Sequence, residues 1–373
     1  MLRICISGGP CSGKTVGLNI LIQKLEERGY HVFTVFEAAS SLILNGIKPS
    51  SHISMNDFQE FILDMQMSAE KIFDDVTKYY NADKTIIFYD RGIMDGAAYV
   101  DRGEFVKLLG RKNLTLSDVY NRYDAVFHMV TAADGAEEFY LWNDPNKDDV
   151  GNNAARRESP EEARIKDKLT LNAWIGHPHL RVFDNSTDFK GKIDRIVKEV
   201  FALLGEPVPS EIERKYLIKK PTDEQIESLG CISETQIIQT YLKKFDNVAE
   251  RRVRQRGTKK DGFSFYYTEK TDVAPGVRIE NERKISKDEY LDLLSEADTS
   301  LHQISKTRYC FVYEKQYFEM DIYPFSDEYA IVEIELNDIN ETVKLPPLDL
   351  IKDVTNDKNY SNYALAKTLR LNT

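Results

Sequence analysis

Charged residues recur at every second position in five short segments of the second half of this 373-residue chain. The segments are 211–215, 252–254, 306–308, 319–321 and 333–335. Because successive side chains of a β-strand point to opposite faces, each segment, folded as a strand, places its charges on one face. The pattern therefore predicts a sheet with one ionic face.

The uncharged side chains near these charges require a core on the other face of the sheet. They are Ile212, Val253, Met320, Ile322, Ile331 and Ile334. Two interpretations of the ionic face remain open: a solvated outer face, since charge normally sits in water, or the lining of a closed barrel. In an enclosed lumen, carboxylates hold a divalent metal and cations neutralise a phosphate chain. The repetition of the pattern in five segments favours the second interpretation.

This series of charges resembles the CYTH family, the triphosphate tunnel metalloenzymes, whose mark is a Glu-x-Glu-x-Lys strand at the domain start. The matching residues are Glu211, Glu213 and Lys215, and the resemblance covers roughly residues 208–373. It implies an α+β domain with an antiparallel eight-stranded β-barrel tunnel that binds triphosphates with Mg²⁺ or Mn²⁺. Members of the family hydrolyse inorganic triphosphate, thiamine triphosphate or RNA 5′-triphosphate ends, and some cyclise ATP.

The resemblance implies two groups of site residues. The candidate metal ligands in this domain are Glu211, Glu213, Asp321, Glu333 and Glu335. The candidate triphosphate-binding cations are Lys215, Arg252, Arg254, Lys270, Arg278, Lys306, Arg308 and Lys358. The implied chemistry is attack of a water on the terminal phosphoryl group, in which metal and cations stabilise the developing charge.

A glycine-rich loop between an apolar strand and a helical pattern opens the first half of the chain. Its residues are Gly8, Gly9, Pro10, Cys11, Ser12, Gly13, Lys14 and Thr15. In this context backbone N–H groups cradle phosphate oxygens, Lys14 reaches the β and γ phosphates, and the Thr15 hydroxyl ligates Mg²⁺. The sequence predicts a nucleotide-binding phosphate loop; a glycine-rich turn without a nucleotide is the alternative.

Strands alternate with helices up to about residue 204, which predicts an α/β domain with a parallel sheet covered on both faces. Ligands of such sheets bind at the carboxyl ends of the strands, where Lys14, Glu37 and Asp90 fall. These three are candidate catalytic residues. Asp90 either holds Mg²⁺ through water, takes a proton from the hydroxyl of a phosphoryl acceptor, or caps a helix.

Two further segments complete the predicted site. A helix over 56–80 is expected to bury an apolar side. Its polar side chains either contact the phosphoryl acceptor of a kinase reaction or are exposed to solvent. The apolar residues are Phe58, Phe61, Ile62, Met65, Ile72 and Phe73, and the polar ones are Gln59, Glu60 and Gln66. In segment 155–164, Arg157 and Arg164 are candidate catalytic cations of a lid over ATP; the alternative is a solvated helix with Glu/Arg pairs.

The first half resembles small-molecule kinases and the AAA-type ATP-binding domains grouped near the nicotinamide riboside kinases, over roughly residues 1–204. Asp90-Arg91-Gly92 stands in the position of their Asp/Glu-Arg-Ser motif. The expected domains are therefore 1–204 for the P-loop kinase-like domain, 205–210 for a proline-containing linker, and 211–373 for the CYTH tunnel.

Composition limits the classes of partner and compartment. A net charge of −11 disfavours an extended nucleic-acid footprint but leaves an RNA 5′ end possible. No long apolar run predicts a membrane span, and the start of the chain leads directly into the first strand, without a predicted signal peptide. Four cysteines without CxxC spacing fit a reducing cytosol, so a cytoplasmic location is expected.

The combined prediction is a bifunctional phosphate-handling enzyme. The first domain is expected to be an ATP-dependent small-molecule kinase or ATPase, and the tunnel to hydrolyse a triphosphate with Mg²⁺ or Mn²⁺. Three alternatives remain. The tunnel is a non-catalytic polyphosphate or inositol-phosphate sensor that regulates the kinase, the two halves process RNA 5′ ends, or the tunnel is an adenylyl cyclase.

Overall fold

The computed structural model describes residues 1–140, 158–205, 212–245, 248, 250–274, 277–336 and 341–372, without the side chains of 272–280. The chain divides into two compact units, residues 1–198 and 199–373. The predicted 205–210 linker lies almost entirely outside the described residues, so the domain limits expected from the sequence stay a prediction. Within the described residues, no helix has both the length and the apolar character that a bilayer span needs.

The first unit contains a five-stranded parallel sheet with the order β2-β3-β1-β4-β5. Its strands are β1 Leu2–Ser7, β2 His31–Val35, β3 Thr85–Asp90, β4 Ala125–Met129 and β5 Leu180–Phe183. Strands β1, β3 and β4 are nearly continuous buried apolar runs, as expected for inner strands covered on both faces. The predicted parallel α/β sheet is confirmed.

Seven α-helices accompany this sheet in the described part of the chain. They are α1 Lys14–Glu26, α2 Ala38–Leu44, α3 Met55–Thr77, α4 Arg102–Arg111, α5 Leu116–Tyr120, α6 Pro160–Trp174 and α7 Phe189–Leu203. Local signals set several starts: Ser54 and Asp57 form a capping box on α3, and Ser159 and Glu162 form another on α6.

Helix α3 buries only part of its predicted apolar side. Phe58 is buried as predicted, whereas Phe61 and Ile72 are 43% and 61% exposed, so the predicted burial of these two residues is wrong. The buried positions also include Gln59, Gln66 and Glu70. Gln66 donates to the Arg91 carbonyl at 3.0 Å, and Glu70 accepts from Tyr123 and Arg122, so hydrogen bonds offset the cost of burying these polar groups.

The second unit contains an antiparallel sheet with the order β10-β9-β8-β7-β11-β12-β13-β6-β14. Its strands are β6 Glu213–Lys219, β7 Ile232–Tyr241, β8 Glu250–Thr258, β9 Gly262–Ala274, β10 Val277–Ile285, β11 Ile304–Tyr313, β12 Gln316–Ile322, β13 Tyr329–Glu335 and β14 Leu350–Asp353. Its helices are α8 Asp223–Ser228, α9 Lys287–Leu293 and α10 Asn362–Thr368. The predicted antiparallel sheet is confirmed.

The strand count differs from the expected eight. Nine strands are hydrogen-bonded in one sheet, because β14 pairs with β6 and so covers a backbone edge that would otherwise be open. In the described part of the chain the ladder runs from β10 to β14, and closure into a barrel stays a proposal.

The register of the ladders gathers the alternating charges onto one face. Glu333 lies opposite Lys215, Arg308 opposite Asp321, and Arg254 opposite Gln239. The other face packs an apolar core that includes Phe311, Phe318, Met320, Val332 and Ile334. Ile331 departs from its predicted placement, because it shares the parity of Glu333 and packs with Leu217 and Tyr323.

Candidate nucleotide and triphosphate sites

The phosphate loop of the first unit depends on glycine at its two ends. Gly8 and Gly13 have φ values of 143° and 86°, which other residues rarely adopt. A Cβ at Gly8 would lie 2.2 Å from the Met129 carbonyl oxygen, so close packing against the end of β4 also requires glycine. The loop therefore leads from β1 into α1 along the carboxyl edge of the sheet.

Lys14, the first residue of α1, has its ammonium folded back onto the loop. Its Nζ donates to the Gly8 and Gly9 carbonyls at 3.0 and 2.9 Å and to the Ser12 hydroxyl at 3.1 Å. Burial, followed by the positive charge of Arg91, lowers the pKa of Lys14 to about 8. A phosphate chain in the loop would offer this ammonium stronger acceptors than the neutral groups that it now contacts.

The end of β3 brings a carboxylate and a guanidinium to the same place. Arg91 has a φ of 72°, and its guanidinium contacts Glu37 and donates to the Gly8 carbonyl at 3.1 Å. Asp90 Oδ1 is buried and has no hydrogen-bond partner among the described residues. Burial, and then Glu37, raises the pKa of Asp90. The helix-cap interpretation of Asp90 is wrong, because the 3₁₀ helix that follows begins at Ile93 with Gly92 as its cap.

The two predicted lid arginines have different outcomes. Arg157 lies outside the described residues. Arg164, on α6, donates to the Ala133 carbonyl at 2.6 Å and pairs with Glu161 at 2.6 Å. The neighbouring Ala132 N–H donates to the Cys11 carbonyl at 3.1 Å, so Arg164 supports a segment that contacts the phosphate loop. Contact of Arg164 with phosphate stays a prediction.

Three buried residues near the loop were missed by the sequence analysis. Asp95 accepts from the Ser7 hydroxyl at 2.5 Å and from the Gly92 N–H at 2.7 Å. Asp167 accepts from the Gly9 N–H at 2.7 Å. Lys192 donates to the Val130 carbonyl at 2.7 Å, beside the loop. Nothing in their local spacing marks them, because each acts through a partner that is distant in the chain or in an irregular turn.

In the second unit, buried Arg308 joins carboxylates from two strands. Its Nε and a terminal nitrogen donate to the two oxygens of Asp321, both at 2.6 Å. The guanidinium also contacts Glu319, and it reaches Glu333 at 2.9 Å. Lys306 contacts Asp321 from the same strand as Arg308. Burial alone would raise the pKa of Asp321, but Arg308 and Lys306 hold it below its ordinary value.

Lys215 extends this ion-pair network from Glu333 to Glu213. Lys215 Nζ lies 2.8 Å from Glu333 and 3.6 Å from Glu213. Burial alone would raise the pKa of Glu333, but Lys215 and Arg308 keep it far below its ordinary range. Glu213 behaves oppositely: its pKa is raised, mainly by partial burial and also by neighbouring Glu333 and Glu335.

A second group of charges lies on β8, β9 and β10. Arg254 contacts Glu282, which also accepts from the Thr268 hydroxyl at 2.8 Å, and Arg252 lies 3.4 Å from Glu250. The Lys270 backbone lies opposite Glu250 in the register. Arg256, which was predicted only as part of a basic run, is buried on the same face and donates to Cys310 Sγ at 3.8 Å.

Of the other residues predicted to line the tunnel, some lie outside the described residues and some can be placed. Glu211 lies outside the described residues, and so does the side chain of Arg278 on β10. Glu335 lies directly opposite Glu213. Lys358 is exposed in the 3₁₀ helix Lys358–Tyr360 and forms no ion pair in the described part of the chain.

The surroundings of the acidic residues determine which of them could hold a metal. The described residues contain no ready group of three metal-ligating side chains, and both oxygens of Asp321 are engaged by cations. Glu213 and Glu335 are better candidates, because they occupy opposed positions on neighbouring strands. Burial, followed by the neighbouring carboxylates of Glu333 and Glu335, raises the pKa of Glu213. Carboxylate oxygens of this kind suit Mg²⁺ or Mn²⁺.

The first unit has the strand, glycine-rich loop, helix and partly buried loop lysine that define a P-loop nucleotide-binding protein. Residues 3–192, about half of the chain, match the sequence profile of the AAA domain. The chain therefore belongs to the AAA domain family, and the predicted AAA-type domain at the N-terminus is confirmed. No curated protein matches the chain.

Solved structures that are similar to the chain include the following three. The inorganic triphosphatase NE1496 is 28% identical, covers 43% of this chain and 95% of its own, and has a TM-score of 0.32. A second structure, described as hypothetical protein NE1496, is 28% identical with coverages of 43% and 99% and a TM-score of 0.31. The PH1819 protein from Pyrococcus horikoshii OT3 is 18% identical with coverages of 33% and 77% and a TM-score of 0.26. TM-scores this low do not establish a shared fold.

The depressed pKa of Lys14 gives a testable pH dependence. Above pH 8 the unliganded protein loses the Lys14 proton and must take it up again to bind MgATP. We expect the affinity for MgATP to fall by up to about tenfold per pH unit above this point, measured by titration calorimetry between pH 7 and 9.5. A flat profile would contradict the assignment.

The matched control for this profile is Lys14→Met, which should bind weakly and lose the pH dependence. Burial also lowers the pKa of Lys192 to about 8. A slope that persists in Lys14→Met would therefore assign the effect to Lys192 instead.

Proposed function

We propose that the first unit binds MgATP and transfers or hydrolyses its γ-phosphoryl group. The observation that carries this proposal is the convergence of Lys14, Glu37, Asp90 and Arg91 at the carboxyl ends of β1, β2 and β3. Lys14 would bind the β and γ phosphates, and the Thr15 hydroxyl would hold Mg²⁺.

Asp90 is the candidate residue for accepting the proton of the acceptor hydroxyl or for holding the metal through water in this reaction. Its buried oxygen without a described hydrogen-bond partner, together with its raised pKa, fits a carboxylate that binds metal-bound water or the acceptor hydroxyl. Glu37 and Arg91 neutralise each other beside it, so Arg91 is oriented toward the loop. These groups serve a small-molecule kinase and an ATPase equally, and the acceptor distinguishes the two.

We propose that the second unit binds a triphosphate on its ionic face and hydrolyses it with a divalent metal. The burial of the charges supports this over a solvated outer face: Lys306, Arg308 and Asp321 are 3%, 6% and 0% exposed. Buried ion pairs cost desolvation energy and contribute little net stability, so their concentration on one face favours a functional interpretation.

The cations would exchange carboxylate partners for phosphate oxygens. Arg254 is partly buried and Lys215 is buried, and both pair with acidic side chains that an incoming phosphate chain would replace. Glu213 and Glu335, together with the predicted ligand Glu211, would hold the metal. A metal held there would supply positive charge to a phosphoryl oxygen and would lower the pKa of a bound water. The protein's own cations would stabilise the charge on the leaving phosphate.

Lys14→Ala should abolish ATP turnover while triphosphate hydrolysis stays nearly intact, because only the phosphate loop loses its cation. Both activities are measured by product-resolved chromatography on the full chain. Lys24→Ala is the matched control, since Lys24 lies on the same helix, is exposed and pairs with Asp194. Unchanged ATP turnover in Lys14→Ala would remove the proposal for the first unit.

Glu213→Gln keeps the side-chain size but removes a charge from the proposed metal site. We expect metal-dependent triphosphate hydrolysis to fall by roughly two or more orders of magnitude, since the variant loses metal and transition-state charge stabilisation. Hydrolysis is followed with Mn²⁺ and with Mg²⁺. Wild-type hydrolysis and Mn²⁺ affinity in this variant would exclude Glu213 as a ligand.

Arg254→Ala should weaken triphosphate binding by about tenfold or more while Mn²⁺ binding is retained, because a charged hydrogen bond to phosphate is lost. Arg283→Ala is the control: Arg283 lies on β10 of the same sheet, its side chain is 55% exposed, and it pairs with Glu289. Binding is measured calorimetrically with inorganic triphosphate. Equal effects of the two substitutions would argue against phosphate binding on the ionic face.

A further inference from the structure

Asp167 lies on the second turn of α6, and its buried carboxylate contacts the entry of the phosphate loop. Oδ1 accepts from the Gly9 N–H at 2.7 Å and from the Thr131 N–H at 3.2 Å. A Cβ at Gly9 would lie 2.6 Å from the same oxygen, so the helix and the loop are in direct contact. His128 Nε2, on β4, lies 3.3 Å away.

The neighbouring residues of α6 contact two more loops at the same edge of the sheet. Arg164 donates to the Ala133 carbonyl at 2.6 Å. Lys166 donates to the Ala98 carbonyl at 2.9 Å, and its ammonium lies 4.1 Å from the centre of the Tyr99 ring. One turn of α6 therefore holds the segments that follow β1, β3 and β4.

The carbonyl groups at the loop entry are held by other side chains. Lys14 donates to the Gly8 and Gly9 carbonyls, and Arg91 donates to the Gly8 carbonyl. Asp167 binds the N–H of Gly9. Cations thus fix the acceptors of this short stretch, and a carboxylate fixes its donor, so the orientation of the peptide groups is determined on both sides.

We propose that Asp167 is a positioning residue that fixes the entry of the phosphate loop, so that the amides later in the loop face the incoming phosphates. The proposal rests on nucleotide binding by the first unit, and not on the reaction that follows. Asp167 does not itself touch the nucleotide in this arrangement; it acts through Gly9.

The charge state of Asp167 agrees with this role. Burial alone would raise the pKa of Asp167, but His128 and the hydrogen bonds from Gly9 and Thr131 keep it below its ordinary value. The side chain is therefore a carboxylate at neutral pH, and both of its backbone hydrogen bonds are charge-assisted.

The test compares Asp167→Ala and Asp167→Asn in the full chain, with Asp194→Asn as a matched control at an exposed acid of the same unit. Titration calorimetry with MgATP should show about tenfold weaker binding for Ala and about threefold for Asn, which keeps an acceptor but loses the charge. The control should bind as the wild type does. Wild-type affinity in both Asp167 variants would overturn the proposal.

A second readout is independent of nucleotide chemistry. Cys11 lies in the phosphate loop and Cys231 in the second unit, and both are partly exposed. Loss of Asp167 should raise the iodoacetamide alkylation rate of Cys11 relative to Cys231 by about threefold or more, because the loop entry is released. A variant that loses thermal stability but keeps the wild-type ratio of Cys11 to Cys231 alkylation would show that Asp167 is only a structural anchor. That result would overturn the proposal.

These readouts separate the inference from the proposed reaction. If the wild type binds MgATP but does not turn it over, the proposed reaction fails and the positioning role is still decided by binding and alkylation. If Asp167→Ala does not fold, Asp167→Asn decides, since unchanged affinity and Cys11 rate in that variant overturn the role.

Discussion

The buried guanidinium of Arg308 is the interaction on which the ionic face of the second unit depends. It contacts Asp321 and Glu319 on β12 and Glu333 on β13, so three carboxylates from two strands share one cation. A slip of one residue in any of these strands would turn its charges toward the apolar core that contains Phe311 and Phe318. Breaking a buried pair of this kind leaves an uncompensated charge, which is strongly destabilising. The network therefore fixes the register while it keeps the charges inside.

The pKa shifts differ between the centre of this network, at Asp321 and Glu333, and its acidic end at Glu213. Asp321 and Glu333 are each paired with buried cations, and their pKa values are lowered. Glu213 has the ammonium of Lys215 at 3.6 Å, but burial, followed by two carboxylate neighbours, raises its pKa. The proposed metal site lies at this end of the network, where Glu213 and Glu335 occupy opposed positions on β6 and β13. A divalent cation held there would lie beside the cationic centre, as binding of a phosphate chain would require.

The candidate phosphate site of the first unit is formed mainly by the backbone of a loop, whereas that of the second unit is formed by a network of side-chain ion pairs. Glycines allow the loop to pass close to the end of β4, and Lys14, Arg91 and Asp167 hold its first peptide groups. In the proposed function, each unit would therefore arrange cations around a phosphate-binding site, by different means. The two activities proposed for the chain share this chemistry, and each can be tested by a variant that leaves the other unit unaltered.

Local patterns in the sequence were sufficient for the phosphate loop, the parallel strands and the alternating charges. These features repeat within a few residues, and backbone geometry alone converts such spacing into a loop or a sheet face. The sequence did not predict the ninth strand, the polar buried face of α3 or the role of Asp167. The Gly9 and Asp167 partners are 158 positions apart, and Gln66 finds the Arg91 carbonyl only after α3 has packed. The type of each side chain was therefore readable in the chain itself, whereas its partner was decided by tertiary packing, because a buried polar group is stable only where a distant group completes its hydrogen bonds.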